Sequence, residues 1–136
     1  MNPEVFFHDI QVKAEHIDTM LHVNNVVYVQ WVQDAAYAHW MAKAPASIRD
    51  QYNWVVLKHE IEYKSPAFIS EELMAKTWVF DYAGVKSTRI VQIYRKKDNR
   101  LLAEARSLWC LIHSGNGRPA RIGEDIKSVF VPEAQP

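Results

Sequence analysis

NNVVYVQWVQDAAYAHWMA, residues 24–42, decides the architecture. Tyr28, Trp31, Ala35, Ala38 and Ala42 recur at steps of three and four, while Gln30, Gln33, Asp34 and Tyr37 lie largely elsewhere around the axis. That spacing predicts one long amphipathic helix, whose alanines allow close approach to a neighbour. The valines at its start are weak helix formers, so tertiary packing must hold the first turn.

Downstream the hydrophobic period changes from 3.6 to 2. Over Trp54 to Lys64, Val55, Leu57, His59, Ile61 and Tyr63 share one face, and Lys58, Glu60 and Glu62 share the other. Three more strands are expected at 71–82, 86–97 and 100–113, joined by Ala83-Gly84 and Asp98-Asn99, which are good turn residues. Tight turns between long strands predict an antiparallel meander. Upstream, residues 4–14 read as a first strand. After Pro45 the chain to Gln51 reads as a connection with a short helical turn, and GEDIKSVF at 123–130 as a terminal one. Strand, long helix and four strands predict an α+β domain in which a curved antiparallel sheet wraps a central helix.

The chain of 136 residues suits a single domain spanning 1–136, with a polar tail after about residue 131. Its 16 basic and 16 acidic side chains cancel, which argues against nucleic acid or an anionic membrane as partner. The single cysteine, Cys110, excludes an intrachain disulfide, and no Cys/His spacing suggests a metal site. The start, MNPEVFFHDIQVKAEH, does not read as a signal peptide, and no apolar run is long enough to span a bilayer, so the expected location is cytoplasmic.

The segment leading into the helix, HIDTMLHVNN at 16–25, concentrates polar chemistry. On its own Asp18 could cap the helix or the turn before it, and His22 and Asn24 could be loop hydrogen-bonders. The pattern D-x-x-x-H-V-N-N-x-x-Y, at Asp18, His22, Val23, Asn24, Asn25 and Tyr28, resembles the hotdog-fold acyl thioesterases of the 4-hydroxybenzoyl-CoA thioesterase type. Plant-type acyl-ACP thioesterases are similar at the same stretch. Trp31, EIEYKSP at 60–66, GVKSTR at 84–89 and GRP at 117–119 extend the resemblance over nearly the whole chain. The chain departs from the family pattern at His16, where Asp or another polar residue is common, and at Leu21, where Gly is common. It has Met20 where the acyl-ACP enzymes carry Asn.

The resemblance implies hydrolysis of an acyl-CoA or acyl-ACP thioester to a free acid. Such a reaction needs an attacking oxygen and a donor for the charge that grows on the carbonyl oxygen. Asp18 would serve as general base or nucleophile, and the backbone N–H near Asn25, at the helix start, as oxyanion donor. His22 would orient the carboxylate, hold the carbonyl or shuttle a proton, and Asn24 would fix the loop or bind substrate. Tyr28 and Trp31, with Val27, would line the acyl tunnel. Lys86, Ser87, Thr88 and Arg89 would meet the phosphates of CoA at the pocket mouth, with Arg118 behind them. Asp34 is the alternative base, because related enzymes place their carboxylate on the helix. No cofactor is expected: CoA or the phosphopantetheine of an acyl carrier protein arrives as part of the substrate. An open sheet edge invites a second copy, and the resemblance implies a homodimer or homotetramer, since hotdog proteins build continuous sheets across a dimer. A noncatalytic acyl-binding or scaffold protein is the rival reading, and a hotdog hydratase a lesser one.

Overall fold

A computed structural model describes residues 3–131; the polar tail lies outside the described residues. Five strands and one long helix carry the fold. They are β1 (Phe6–Gln11), α1 (Asn25–Lys43), a short α2 (Ala46–Gln51), β2 (Tyr52–Tyr63), β3 (Glu72–Ala83), β4 (Lys86–Arg95), β5 (Arg100–His113) and a one-turn α3 (Glu124–Lys127). All pairings are antiparallel, in the order β1-β3-β4-β5-β2. The meander is thus confined to β3-β4-β5, and β2 crosses to the far edge beside β5. This is the hotdog arrangement, with α1 packed on one face of a sheet bent by register shifts in β2, β3 and β5.

The first strand is shorter than the sequence suggests, because the chain leaves the sheet into a 3-10 turn at Ala14–His16. The tight turns form where expected, with Gly84 and Asn99 both in the left-handed region at φ 65° and 55°.

Helix α1 buries Tyr28, Trp31, Val32, Ala35, Ala36, His39 and Trp40. The expected stripe ran instead through Ala38, which is half-buried, and Ala42, which is exposed. A stripe stepping 3.5 residues per turn drifts off the buried face of a helix turning every 3.6. The core divides along the helix. Its N-terminal half packs Tyr28, Trp31, Val32 and Ala35 against Ile10, Leu73, Ala75, Val91, Ile93 and Leu102. Its C-terminal end packs Trp40 and Ala44 against Val79, Leu111, Ile122, Ile126 and Phe130, so the segment after β5 closes that end.

One face assignment changes. Val56 pairs with Trp109 and Lys58 with Leu108, which leaves Leu57 without a partner. This bulge turns Trp54 and Val56 to the helix side together with His59, Ile61 and Tyr63. Val55 and Leu57 go to the outer side and are exposed. Cys110 is buried on β5.

Candidate active site

The loop between the 3-10 turn and α1 is held by its own backbone. Asp18 N–H donates to His22 O at 3.1 Å and Leu21 N–H to Asp18 O at 3.0 Å. Ile17 bridges Val23 across the loop's base, and Val23 N–H donates to Ala67 O at 2.9 Å. The tight turn at Asp18–Leu21 requires Leu21 at φ 67°, a conformation that disfavours a branched side chain. Glycine would adopt this conformation without that cost.

Asp18 is half-buried, and one carboxylate oxygen accepts Met20 N–H at 2.8 Å. Its other oxygen has no hydrogen-bond partner among the described residues. The carboxylate therefore caps its own turn, not the helix, and keeps one oxygen for other contacts. The helix cap is Asn24, whose Oδ1 accepts Val26 N–H at 3.0 Å while its carbonyl accepts Val27 N–H at 2.9 Å. Asn24 N–H in turn donates to His16 O at 3.0 Å. With Val26 and Val27 satisfied, the Asn25 N–H is the one at the helix start without a partner among the described residues. It sits where the helix dipole favours negative charge.

Two grooves flank this loop. One, of about 260 Å³, is lined by His22, Val23, Asn25, Tyr28, Tyr63 and Pro66 among others. There Tyr63 Oη donates to Asn25 O at 3.1 Å, and the His22 ring stands edge-on to Phe68. Burial pushes the Tyr28 phenol up to about 12, so it stays neutral and packs edge-on to Trp31 and Tyr63. The other groove, of about 510 Å³, runs beside His16, Val27, Trp31, Gln33 and Asp34. His16 Nδ1 accepts Lys13 N–H at 2.9 Å, which places its proton on Nε2, and its edge meets Trp31. Asp34 accepts from Gln30 Nε2 at 2.7 Å. Asp18 lines neither groove; its loop neighbours His16 and His22 line one each.

The structure brings together Asp18, His22, Asn24, Asn25, Tyr28 and Trp31 around the start of α1. It does not bring Lys86, Ser87, Thr88 and Arg89 there as one cationic mouth. Strand alternation turns Ser87 and Arg89 to the helix side, where both are buried, and Lys86 and Thr88 to the other face. Ser87 Oγ donates to Asp81 O at 3.2 Å. Arg89 lies under the C-terminal half of α1, at the far end of the helix from Asp18. Arg118 is exposed in the turn after β5.

Two histidines away from the loop, His39 and His59, carry polar networks. His39 Nε2 meets Glu4 Oε1 at 2.9 Å, and its Nδ1 meets Arg89 Nη1 at 2.9 Å. His59 Nδ1 meets Ser107 Oγ at 2.6 Å and its Nε2 meets Gln33 Nε2 at 3.2 Å. His59 gave no signal in the sequence because its partners lie on α1 and β5, far off along the chain. Among the described residues no group of His, Cys, Asp or Glu is arranged to hold a metal ion. Nor is any helix long and apolar enough to cross a membrane.

Comparison with solved structures shows the same fold. A probable thioesterase from Escherichia coli superposes with TM-score 0.79 at 18% identity, over 90% of this chain and 94% of that one. A 1,4-dihydroxy-2-naphthoyl-CoA thioesterase from Synechocystis gives 0.79 at 15% identity, over 93% and 95%. A hypothetical protein from Staphylococcus aureus, in complex with CoA, gives 0.81 at 15% identity, over 99% and 90%. No curated protein sequence matches the chain. The profile of the thioesterase-like superfamily matches residues 12–130. With the hotdog sheet, the long helix and nearly the whole chain within that match, this protein belongs to the thioesterase-like superfamily.

Proposed function

We propose that the protein hydrolyses an acyl thioester, carried on CoA or on an acyl carrier protein, to the free acid. Family membership supports thioester hydrolysis as the class of chemistry. The single observation that carries the finer reading is the pairing of a carboxylate oxygen without a partner on Asp18 with an N–H without a partner on Asn25, across one short loop. Asp18 acts on water as general base or attacks the carbonyl itself. The Asn25 N–H receives the negative charge that develops on oxygen. His22 stands over the groove beside Tyr28 and holds or protonates the departing group. Asn24 positions the loop by capping the helix. The chemistry calls for no cofactor beyond the carrier itself. A solved relative with CoA bound supports the CoA form.

The test is free-thiol release from a panel of acyl-CoA and acyl-ACP thioesters. Asp18→Asn should lower kcat by about a hundredfold or more, in the range typical of a lost general base, with an unchanged unfolding midpoint. Turnover intact in Asp18→Asn but abolished in Asp34→Asn would move the base to the helix. Tight acyl binding without any turnover by the wild type would favour the acyl-binding protein instead.

A further inference from the structure

We propose that the cavity beneath the C-terminal half of α1 is a second ligand site, built to take the carboxylate of a small organic acid with an aromatic or apolar body. The cavity measures about 370 Å³, the size of a small-molecule site. Its walls include Trp40 from α1, Trp54 from β2, Trp109 from β5, and Phe130. Arg89 from β4 lies in the same lining and is 5% exposed.

Arg89 is the feature that asks for a ligand. A buried guanidinium is ordinarily matched by a carboxylate, yet no carboxylate lies within ion-pair distance of Arg89 among the described residues. Both of its hydrogen bonds use Nη1, to His39 Nδ1 at 2.9 Å and to Thr77 Oγ1 at 3.1 Å. Nε and Nη2 have no partner among the described residues. Among the described residues the unpartnered side-chain polar atoms sealed from solvent are the indole nitrogens of Trp54 and Trp109; Arg89 Nε and Nη2 are not among them, and Arg89 lines the cavity. The rings of those two tryptophans line the same chamber, while their sealed N–H groups do not face it.

The charges nearby leave room for one more anion. Glu4 stands behind His39, one imidazole away from Arg89, and also meets Lys43 Nζ at 3.4 Å. Arg49 and Asp50 offset each other in the lining. Arg49 is engaged with Ala44 O at 3.1 Å, and Asp50 is exposed. The Phe130 ring covers one side of Arg89, 5.2 Å from centroid to guanidinium carbon, leaving its edge as the hydrogen-bonding fork. A fork with two free donor positions matches a carboxylate in plane. Three indoles and a phenyl ring select an acid with an aromatic or apolar body over a bare inorganic anion.

The site is separate from the Asp18 loop. It shares no lining residue with either groove there, and Trp40 lies roughly 22 Å along the helix from Asn25, at 1.5 Å per residue. The proposal therefore stands or falls without reference to thioester turnover.

Titration of the intact protein with benzoate, phenylacetate and hexanoate tests it, read by tryptophan fluorescence and by calorimetry. Benzamide is the neutral counterpart. At least one acid should saturate a single site, with benzoate roughly tenfold or more tighter than benzamide. Arg89→Met should remove that preference, and Trp109→Phe, which trims one aromatic wall of the cavity, should weaken acid binding severalfold. Asp18→Asn should bind as wild type does. If Arg89→Met fails to fold, the benzamide comparison and Trp109→Phe decide. Equal affinity for benzoate and benzamide, no saturable binding by any of the three acids, or loss of binding in folded Asp18→Asn would overturn the proposal.

Discussion

His39 shows how one buried side chain ties stability to pH. Burial pushes its imidazole down to about 4; the Arg89 charge adds to the shift and the Glu4 carboxylate opposes it. In the unfolded chain the same group titrates near 6.5. Because the folded value is the lower one, the unfolded chain takes up the proton first. The stabilisation is fully present above pH 6.5 and is lost as pH falls toward 4, by up to about 1.4 kcal/mol per pH unit. His59, also lowered by burial, acts in the same direction. His39→Gln retains an acceptor for Arg89 and a donor for Glu4 but does not titrate. Its unfolding midpoint should fall less steeply than that of wild type between pH 6.5 and 4, and parallel curves would refute this account. A second residue-scale prediction concerns Leu21, held at positive φ and exposed. Leu21→Gly should raise stability by up to about 1 kcal/mol in chemical denaturation, since the strain relieved exceeds the added chain entropy. Around this loop the sequence was readable because a motif packs its chemistry into consecutive residues. Arg89 was not readable. A basic residue beside Lys86 and Thr88 looks solvated, and only the paired helix face and Phe130, far later in the chain, bury it.

Among the elements, period and turn chemistry identified every main strand and the long helix. Local pattern sufficed there because alternation and helical spacing are each set within a few residues. It failed at β2, where the apolar run Val55, Val56, Leu57 has no internal sign of which residue is left over. The partner strand decides, by pairing Val56 with Trp109 and Lys58 with Leu108. The bulge has a counterintuitive consequence. Deleting Leu57 leaves Trp54, Val56, His59, Ile61 and Tyr63 on the helix side, whereas deleting Glu60 would send Ile61 and Tyr63 outward. The first deletion should yield a folded protein with a melting midpoint near wild type. The second should yield a strongly destabilised one, and circular dichroism melts would separate the two outcomes.

For the molecule as a whole, the open edge of β2 and its exposed Val55 and Leu57 lie on the same strand, and α1 turns Val26, Tyr37 and Met41 outward. Unpaired strand edges carrying apolar side chains favour a second copy over water. Light scattering at micromolar concentration should report a dimer or larger assembly, and Val55→Glu with Leu57→Glu should shift it to monomer with the fold retained. A monomeric wild type would show that this edge stays open. The division of the core along α1 reaches further. The Tyr28 and Trp31 cluster and the Trp40 and Phe130 cluster are joined by a single rod but surround different ends of it. Sequence drift at one end can therefore accumulate with nearly additive cost while the other keeps its packing. Such a scaffold can change what it accommodates beneath Trp40 without rebuilding the loop that holds Asp18.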